Sequence, residues 1–227
     1  MTETQAVSSG QRGLAAVVEA MRPSHWVKNS FVAAPLLFSG SYMYPWAWWK
    51  CFAAIVSFCL LSSCVYLIND VADRNADKLH PVKKNRPVAS GRLSVAGSII
   101  VAIILMTLGL GIAVAVELLW YNPNRPMRGM ELVVWTVAYL TLNLLYSFWL
   151  KKHAIVDVIA VAMGFVLRAM AGAAAIAVPI SPWLVVCTFT LCLFIALTKR
   201  RGEIITLPEG HAGLARHANR SYDLRDL

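Results

Sequence analysis

The stretch LINDVADRNADKLHPVKKNRP, Leu67 to Pro87, places three aspartates within eight positions and follows them with lysines and arginine. It continues directly from an apolar run that starts near Trp46, so the carboxylates stand at the mouth of what reads as a membrane helix. If that helix runs on past Asn69, a turn of about 100° per residue puts Asp70, Asp73 and Asp77 within about 60° of arc. Asn69 widens the face only to about 100°. Three carboxylates that close repel one another unless a cation sits among them. Hard oxygen ligands select Mg²⁺ or Mn²⁺ over zinc, and Mg²⁺ pairs one or two carboxylates with water and substrate phosphates. Asp70, Asp73 and Asp77 are therefore the metal-ligand candidates. The basic residues behind them, Lys78, Lys83, Lys84 and Arg86, are placed to hold the phosphate oxygens that a metal leaves over. A solvated acidic turn beside headgroup-binding lysines would have a similar composition. The regular spacing on one helical face at the membrane edge favours a diphosphate bound through Mg²⁺.

The rest of the chain supports the membrane reading. Its 227 residues are 58% hydrophobic and only 15% charged, with eight tryptophans and a mean hydropathy of +0.60, too little polar sequence to solvate a globule of this size. Six stretches can cross a hydrocarbon core of about 30 Å as helices, at about 25–43, 46–69, 94–116, 130–150, 154–177 and 182–199. An all-α polytopic bundle follows. The net charge of +9 is distributed rather than uniform. Arg12 and Arg22, the Arg74 to Arg92 loop, Lys151 and Lys152, and Lys199 to Arg225 all fall on one side if six spans alternate; the other side receives Arg125 and Arg128, with Lys50 at the edge. The positive-inside rule puts both termini and the aspartate loop in the cytoplasm of a multi-pass cell-membrane protein, and leaves no role for nucleic acid in explaining the charge. Residues 1–20 read as a disordered polar leader, 21–203 as the membrane domain and 204–227 as a polar tail. Cys51, Cys59, Cys64, Cys187 and Cys192 lie inside apolar helices without CxxC spacing, as packing residues.

NDVADRNAD fits the NDxxDxxxD motif of the UbiA prenyltransferase superfamily, and HPVKKNRPVASGRLS resembles the stretch that follows it there. RPSHWVKNSFVAAPLLFSG at Arg22, LLYSFWLKKHAIVDVIAVAMGFVLRAMAG at Leu144 and SPWLVVCTFTLCLFIALTKRRGE at Ser181 resemble the superfamily's phosphoribosyltransferase branch, whose acceptor is decaprenyl phosphate. The resemblance spans residues 20 to 205. It implies a UbiA-type helical bundle that transfers 5-phosphoribose from phosphoribosyl diphosphate to a polyprenyl phosphate and releases diphosphate, on the route to cell-wall arabinan. In that scheme Asp70, Asp73 and Asp77 hold Mg²⁺ on the leaving diphosphate.

Further candidates gain roles from the same likeness. Lys28, about a turn inside span one, either snorkels to the interface or meets a cavity, and the family's WVKN favours the cavity. Asn29 beside it can bond a phosphate or ribose. Asp157 and Arg168 are eleven residues apart, within about 20° on a helix, with Gly164 on the same face. Arg168 is deep enough to need a partner, either a buried carboxylate or an anionic substrate. Tyr146 can orient a phosphate or belong to the interfacial aromatic belt. Lys199 and Arg200 read as topology signals by themselves and as binders of the 5-phosphate by resemblance. Asn69, Lys83, Arg86 and Lys151 complete the substrate-binding set. Aromatic prenyltransferases of the superfamily carry two aspartates as DxxxD in the second region, whereas here His153 precedes Asp157 by four positions and Val161 follows it by four.

Relatives of this type carry nine transmembrane helices, so the chain reads as shortened, with an oligomer as one way to close the lipid-facing cavity. The competing readings are an aromatic prenyltransferase using a prenyl diphosphate and an inactive remnant.

Overall fold

The computed structural model describes residues 13–119 and 130–205, and among these every regular element is helical. α1 covers 13–21. A 3-10 segment, Pro23–Ala33, leads into the short α2 (Ala34–Phe38). α3 (Pro45–Ala72) and α4 (Arg74–Leu79) are separated by Asp73 alone. α5 (Val95–Leu119), α6 (Glu131–Phe148), α7 (Ala154–Ala175) and α8 (Pro182–Ile205) follow. Five of these, α3 and α5 to α8, are long and apolar enough to cross a membrane, which makes the chain a multi-pass helical membrane protein.

The first expected span, 25–43, is not a continuous α-helix. Pro35 has no N–H to donate and its ring crowds the carbonyl of Phe31, so an α-helix restarts at Ala34 instead of running through. The tighter 3-10 winding compensates in length: at roughly 2.0 Å per residue for the 3-10 part and 1.5 Å for α2, the two cover about 30 Å end to end. The expected disordered leader is also corrected where it is described. Residues 13–20 are helical, and Ala20 packs with Cys64, Leu67, Ala102 and Leu105. The remainder of that leader (1–12), the loop bearing Arg125 and Arg128, and the tail beyond 205 lie outside the described residues.

α3 and α7 form the inside of the bundle. They bury 56% and 67% of their spanning windows, against 17% for α8, which packs on α7. Phe58, Leu61, Leu132, Tyr139 and Ala171 meet in the main core. Two glycines set the closest approaches. A methyl group on Gly109 would lie 2.7 Å from Leu61 Cγ, where α3 packs on α5 and the Ser57 hydroxyl donates to the Gly109 carbonyl at 2.7 Å. At Gly172 the added carbon would lie 1.9 Å from the Val32 carbonyl oxygen, so α7 presses directly on the backbone of the 3-10 segment. All five cysteines are free thiols, with Cys51, Cys64 and Cys192 buried.

The close approach at Gly172 has a measurable consequence. Gly172→Ala should lower stability by about 1–3 kcal/mol through overpacking against rigid backbone. Gly164→Ala, whose new carbon meets only Arg168 Nη1 at 3.6 Å, should change it little. Thermal unfolding of the purified protein in detergent reads both, and equal midpoints would contradict the packing described.

Candidate active site

The ends of α3, α6, α7 and α8 that carry charge gather around one chamber of about 600 Å³. The α3 side is built from the aspartate stretch. α3 ends at Ala72, but the Asp73 and Asp77 amides still donate to the carbonyls four residues back, at 2.9 and 2.8 Å, so the turn to α4 keeps the helical phase. The single-face arrangement is retained: Asp70 and Asp77 are buried, and Asp73 is half-buried beside them.

Each of these carboxylates meets a base. Arg22 Nη2 donates to Asp70 Oδ1 at 2.5 Å, and its guanidinium lies over the Tyr66 ring. Arg86 Nη1 bridges Asp77 Oδ2 at 2.7 Å and Asp70 Oδ1 at 3.3 Å. Lys151, in the 3-10 turn Leu150–Lys152 that follows α6, donates to Asp73 Oδ1 at 2.6 Å, and Asn69 Nδ2 donates to Asp73 Oδ2 at 3.1 Å. Asp70 Oδ2 remains buried and without a partner. Arg22 takes up this place in the left-handed region, at φ 54 and immediately before Pro23. That conformation costs about 1–3 kcal/mol in a non-glycine residue, which its pairing with Asp70 offsets. At the loop edge, burial and the neighbouring Lys83 hold His80 below the ordinary imidazole pKa. The neutral ring fits its Nδ1 accepting the Val82 and Lys83 amides.

The opposite wall comes from α6, α7 and α8. The Tyr146 hydroxyl donates to Asp157 Oδ1 at 2.7 Å, and Arg200 Nε stands 2.7 Å from Asp157 Oδ2. Arg168, about 16 Å further along α7 than Asp157, donates through Nε to Asn29 Oδ1, through Nη1 to the Gly164 carbonyl and through Nη2 to the Tyr139 hydroxyl, at 2.9, 2.9 and 2.8 Å. Among the described residues no carboxylate pairs with it, so the packing ion pair weighed for Arg168 does not form among them.

Most of the residues singled out in the sequence line the chamber: Lys28, Asn69, Asp73, Asp77, Lys83, Arg86, Tyr146, Lys151, Arg168, Lys199 and Arg200. Three stand behind its wall. Asp70 is 1% exposed, and Asp157 and Asn29 are fully buried. Asn29 cannot serve a phosphate or ribose from there, because its amide is engaged by Arg168, Cys59 and Ser62. Arg22, Tyr139, Asn143 and Lys152 also line the chamber and were not singled out. The signal for Tyr139 and Asn143 was available: with Tyr146 they recur at seven- and three-residue spacing on one face of an apolar helix.

Lysine and arginine dominate this wall. Lys28, Lys83, Lys151, Lys152 and Lys199 with Arg22, Arg86, Arg168 and Arg200 face the chamber against the carboxylates Asp73 and Asp77. Among the described residues no three His, Cys, Asp or Glu side chains converge as a ready metal cage. The donor set nonetheless fits an ion that takes one or two carboxylates and leaves the rest of its shell to phosphate oxygens and water. Asp73 and Asp77 reach the wall, and the orphaned Asp70 Oδ2 is a further acceptor beside them.

Known proteins resemble this chain in sequence and in fold. The Mycolicibacterium smegmatis protein named decaprenyl-phosphate phosphoribosyltransferase is 35% identical over 198 residues, covering 83% of this chain and 57% of its own length. The Mycobacterium tuberculosis protein of the same name is 37% identical over 195 residues, covering 84% and 61%. The chain thus spans about three fifths of the length of these curated relatives. A solved structure of a UbiA homolog from Archaeoglobus fulgidus bound to DMAPP and Mg²⁺ superposes with a TM-score of 0.64 at 18% identity, over 82% of this chain and 62% of that one, a likeness of fold. Residues 30–201 match the profile of the UbiA prenyltransferase family, and with its helical bundle and identity to those relatives the chain belongs to that family.

Proposed function

We propose that this chain carries the donor site of a Mg²⁺-dependent transferase that moves 5-phosphoribose from phosphoribosyl diphosphate to a polyprenyl phosphate such as decaprenyl phosphate, releasing diphosphate, in the supply of cell-wall arabinan precursors. The observation that carries this reading is the charge of the chamber, where lysine and arginine far outnumber carboxylates on the wall. A substrate with one diphosphate is matched by the α3 side alone. A donor that also bears a 5-phosphate accounts for the second basic group around Arg168, Lys199 and Arg200. The names of the relatives point the same way. The basic side of the bundle faces the cytoplasm by the positive-inside rule, where a soluble phosphorylated donor is available, and the lipid acceptor reaches the chamber from the bilayer.

In this reading the C1–O bond to the diphosphate breaks, the diphosphate leaves with the electron pair, and an oxygen of the acceptor phosphate forms the new bond to C1. Asp73 and Asp77, with Asp70 beside them, would hold a Mg²⁺ ion, which would supply charge stabilisation to the leaving diphosphate. Lys151 and Arg86, which pair with these aspartates on the chamber wall, would donate to the phosphate oxygens of the bound donor. Arg168 is oriented by Asn29 and Tyr139 towards the deeper end of the chamber, where it fixes an anionic group of the substrate. The acceptor is already an anion, so none of these residues is required as a strong general base. Catalysis is positioning and electrostatics.

The test is transfer of label. Membranes carrying the chain, given labelled phosphoribosyl diphosphate, polyprenyl phosphate and Mg²⁺, should place label in the lipid phase, and a chelator should stop it. Lipid labelling only when a prenyl diphosphate and an aromatic acceptor are supplied would overturn the donor assignment. Asp73→Asn should reduce transfer by about 100-fold or more while insertion into the membrane is unchanged; retained turnover would remove the α3 aspartates from the mechanism. Arg168→Ala should raise the KM for the donor by about tenfold, the loss of a charged hydrogen bond. An unchanged donor KM with a lowered melting temperature would assign Arg168 to packing instead.

A further inference from the structure

The two carboxylate groups beside the chamber are built differently. On the α3 side Asp73 and Asp77 lie on the wall, and Asp70 Oδ2 is buried without a partner. On the α7 side Asp157 is 0% exposed and stands behind the wall. Tyr146 holds one of its oxygens at 2.7 Å, and Arg200 Nε faces the other at 2.7 Å. Both partners, Tyr146 and Arg200, do line the chamber. For Asp157 to ligate an ion in the chamber it would have to leave one of them, and breaking a buried pair on one side strands a charge in the interior. The arginine it holds is singled out from its neighbours: Arg200 is 7% exposed, whereas Lys199 and Arg201 on either side are open. A guanidinium anchored through Nε keeps a fixed fork, the geometry suited to phosphate.

We propose that Asp157 is a positioning residue and not a metal ligand: it fixes Arg200 and Tyr146 on the chamber wall, so that a guanidinium and a phenol meet the donor's phosphate there, and divalent metal loads on the α3 side alone. The inference rests on the reading of the chamber as a phosphorylated-donor site and refines it. Where the superfamily's aromatic prenyltransferases have a second pair of aspartates, this chain has one aspartate engaged by its own α8. Arg200 already neutralises the carboxylate that a second ion would need. Tyr146 ties the end of α6 to the same carboxylate, so three helices share one anchor at the wall.

The test uses the whole chain in nanodiscs with Mn²⁺ and phosphoribosyl diphosphate as probes. Bound Mn²⁺ per chain is counted by electron paramagnetic resonance, and donor affinity is measured by calorimetry. Asp157→Asn should leave the Mn²⁺ count unchanged and weaken donor binding by about tenfold or more. Added to Arg200→Gln, it should cost less than it does alone, because the part of its effect that passes through Arg200 is already lost and only the part through Tyr146 remains. A fall in the Mn²⁺ count in Asp157→Asn, or losses that add in full in the double variant, would overturn the proposal. Arg200→Gln keeps the Asp157 carboxylate and decides the matter if the asparagine variant does not fold: weaker donor binding at an unchanged Mn²⁺ count supports the proposal, and unchanged binding overturns it. A parent chain that binds no phosphoribosyl diphosphate with Mn²⁺ overturns the functional reading and this inference together, whereas a metal lost only in Asp157→Asn overturns the assignment of Asp157 and leaves the functional reading standing.

Discussion

Asp70 Oδ1, at the buried end of a membrane-spanning helix, accepts from two guanidiniums at once. Much of the charged end of the bundle depends on that oxygen. Arg22 fixes where the 3-10 segment begins, and Arg86 draws the loop after α4 back over the chamber. A carboxylate in this position is tolerated only while it is paired, since a charge stranded in a low-dielectric interior costs several kcal/mol on the order of a whole domain's margin of stability. Three separate stretches of chain are thereby held together at the membrane edge, and the unusual left-handed backbone of Arg22 becomes affordable.

The same electrostatics leave the chamber incomplete by itself. Asp70, Asp73 and Asp77 are matched by Arg22, Arg86 and Lys151, and Asp157 by Arg200, yet among the described residues Arg168 has only neutral partners. Its hydrogen bonds orient the guanidinium without neutralising it. Cationic side chains collected in a partly enclosed space raise the local potential and favour anions over water in proportion to their charge. In the proposed reading a polyphosphorylated donor closes the charge balance of the site, and a divalent ion would join on the side where carboxylates reach the wall.

The spans from 46 onward were legible because hydropathy and length are local properties: the expected 94–116 and 130–150 became Val95–Leu119 and Glu131–Phe148. The aspartate face was legible for the same reason, since helical period survives the break at Asp73. What was not legible depends on contacts between distant residues. The 3-10 form of the first span is coupled to Gly172, which meets Val32 only in the folded bundle. The helix at 13–21 falls within the expected polar leader, although GLAAVVEAM is apolar but for Glu19, and Ala16 and Ala20 find a buried surface to pack on. Asn29 could not be recognised as the support of Arg168, 139 positions away, rather than as a substrate contact. Arg22 looked like one more positive charge on the basic side, and nothing in its neighbours announced that it would pair with Asp70.

The central claim is that a phosphorylated donor and a divalent ion share this chamber. A crystal structure of the chain with phosphoribosyl diphosphate and Mn²⁺, recorded at the manganese edge, tests it most directly. The account predicts an anomalous peak at about 2.0–2.2 Å from a carboxylate of Asp73 or Asp77, with the diphosphate completing the ion's shell and the 5-phosphate against the Arg168 and Arg200 side. Donor density elsewhere on the bundle, or an ion that leaves the α3 aspartates untouched, would contradict it.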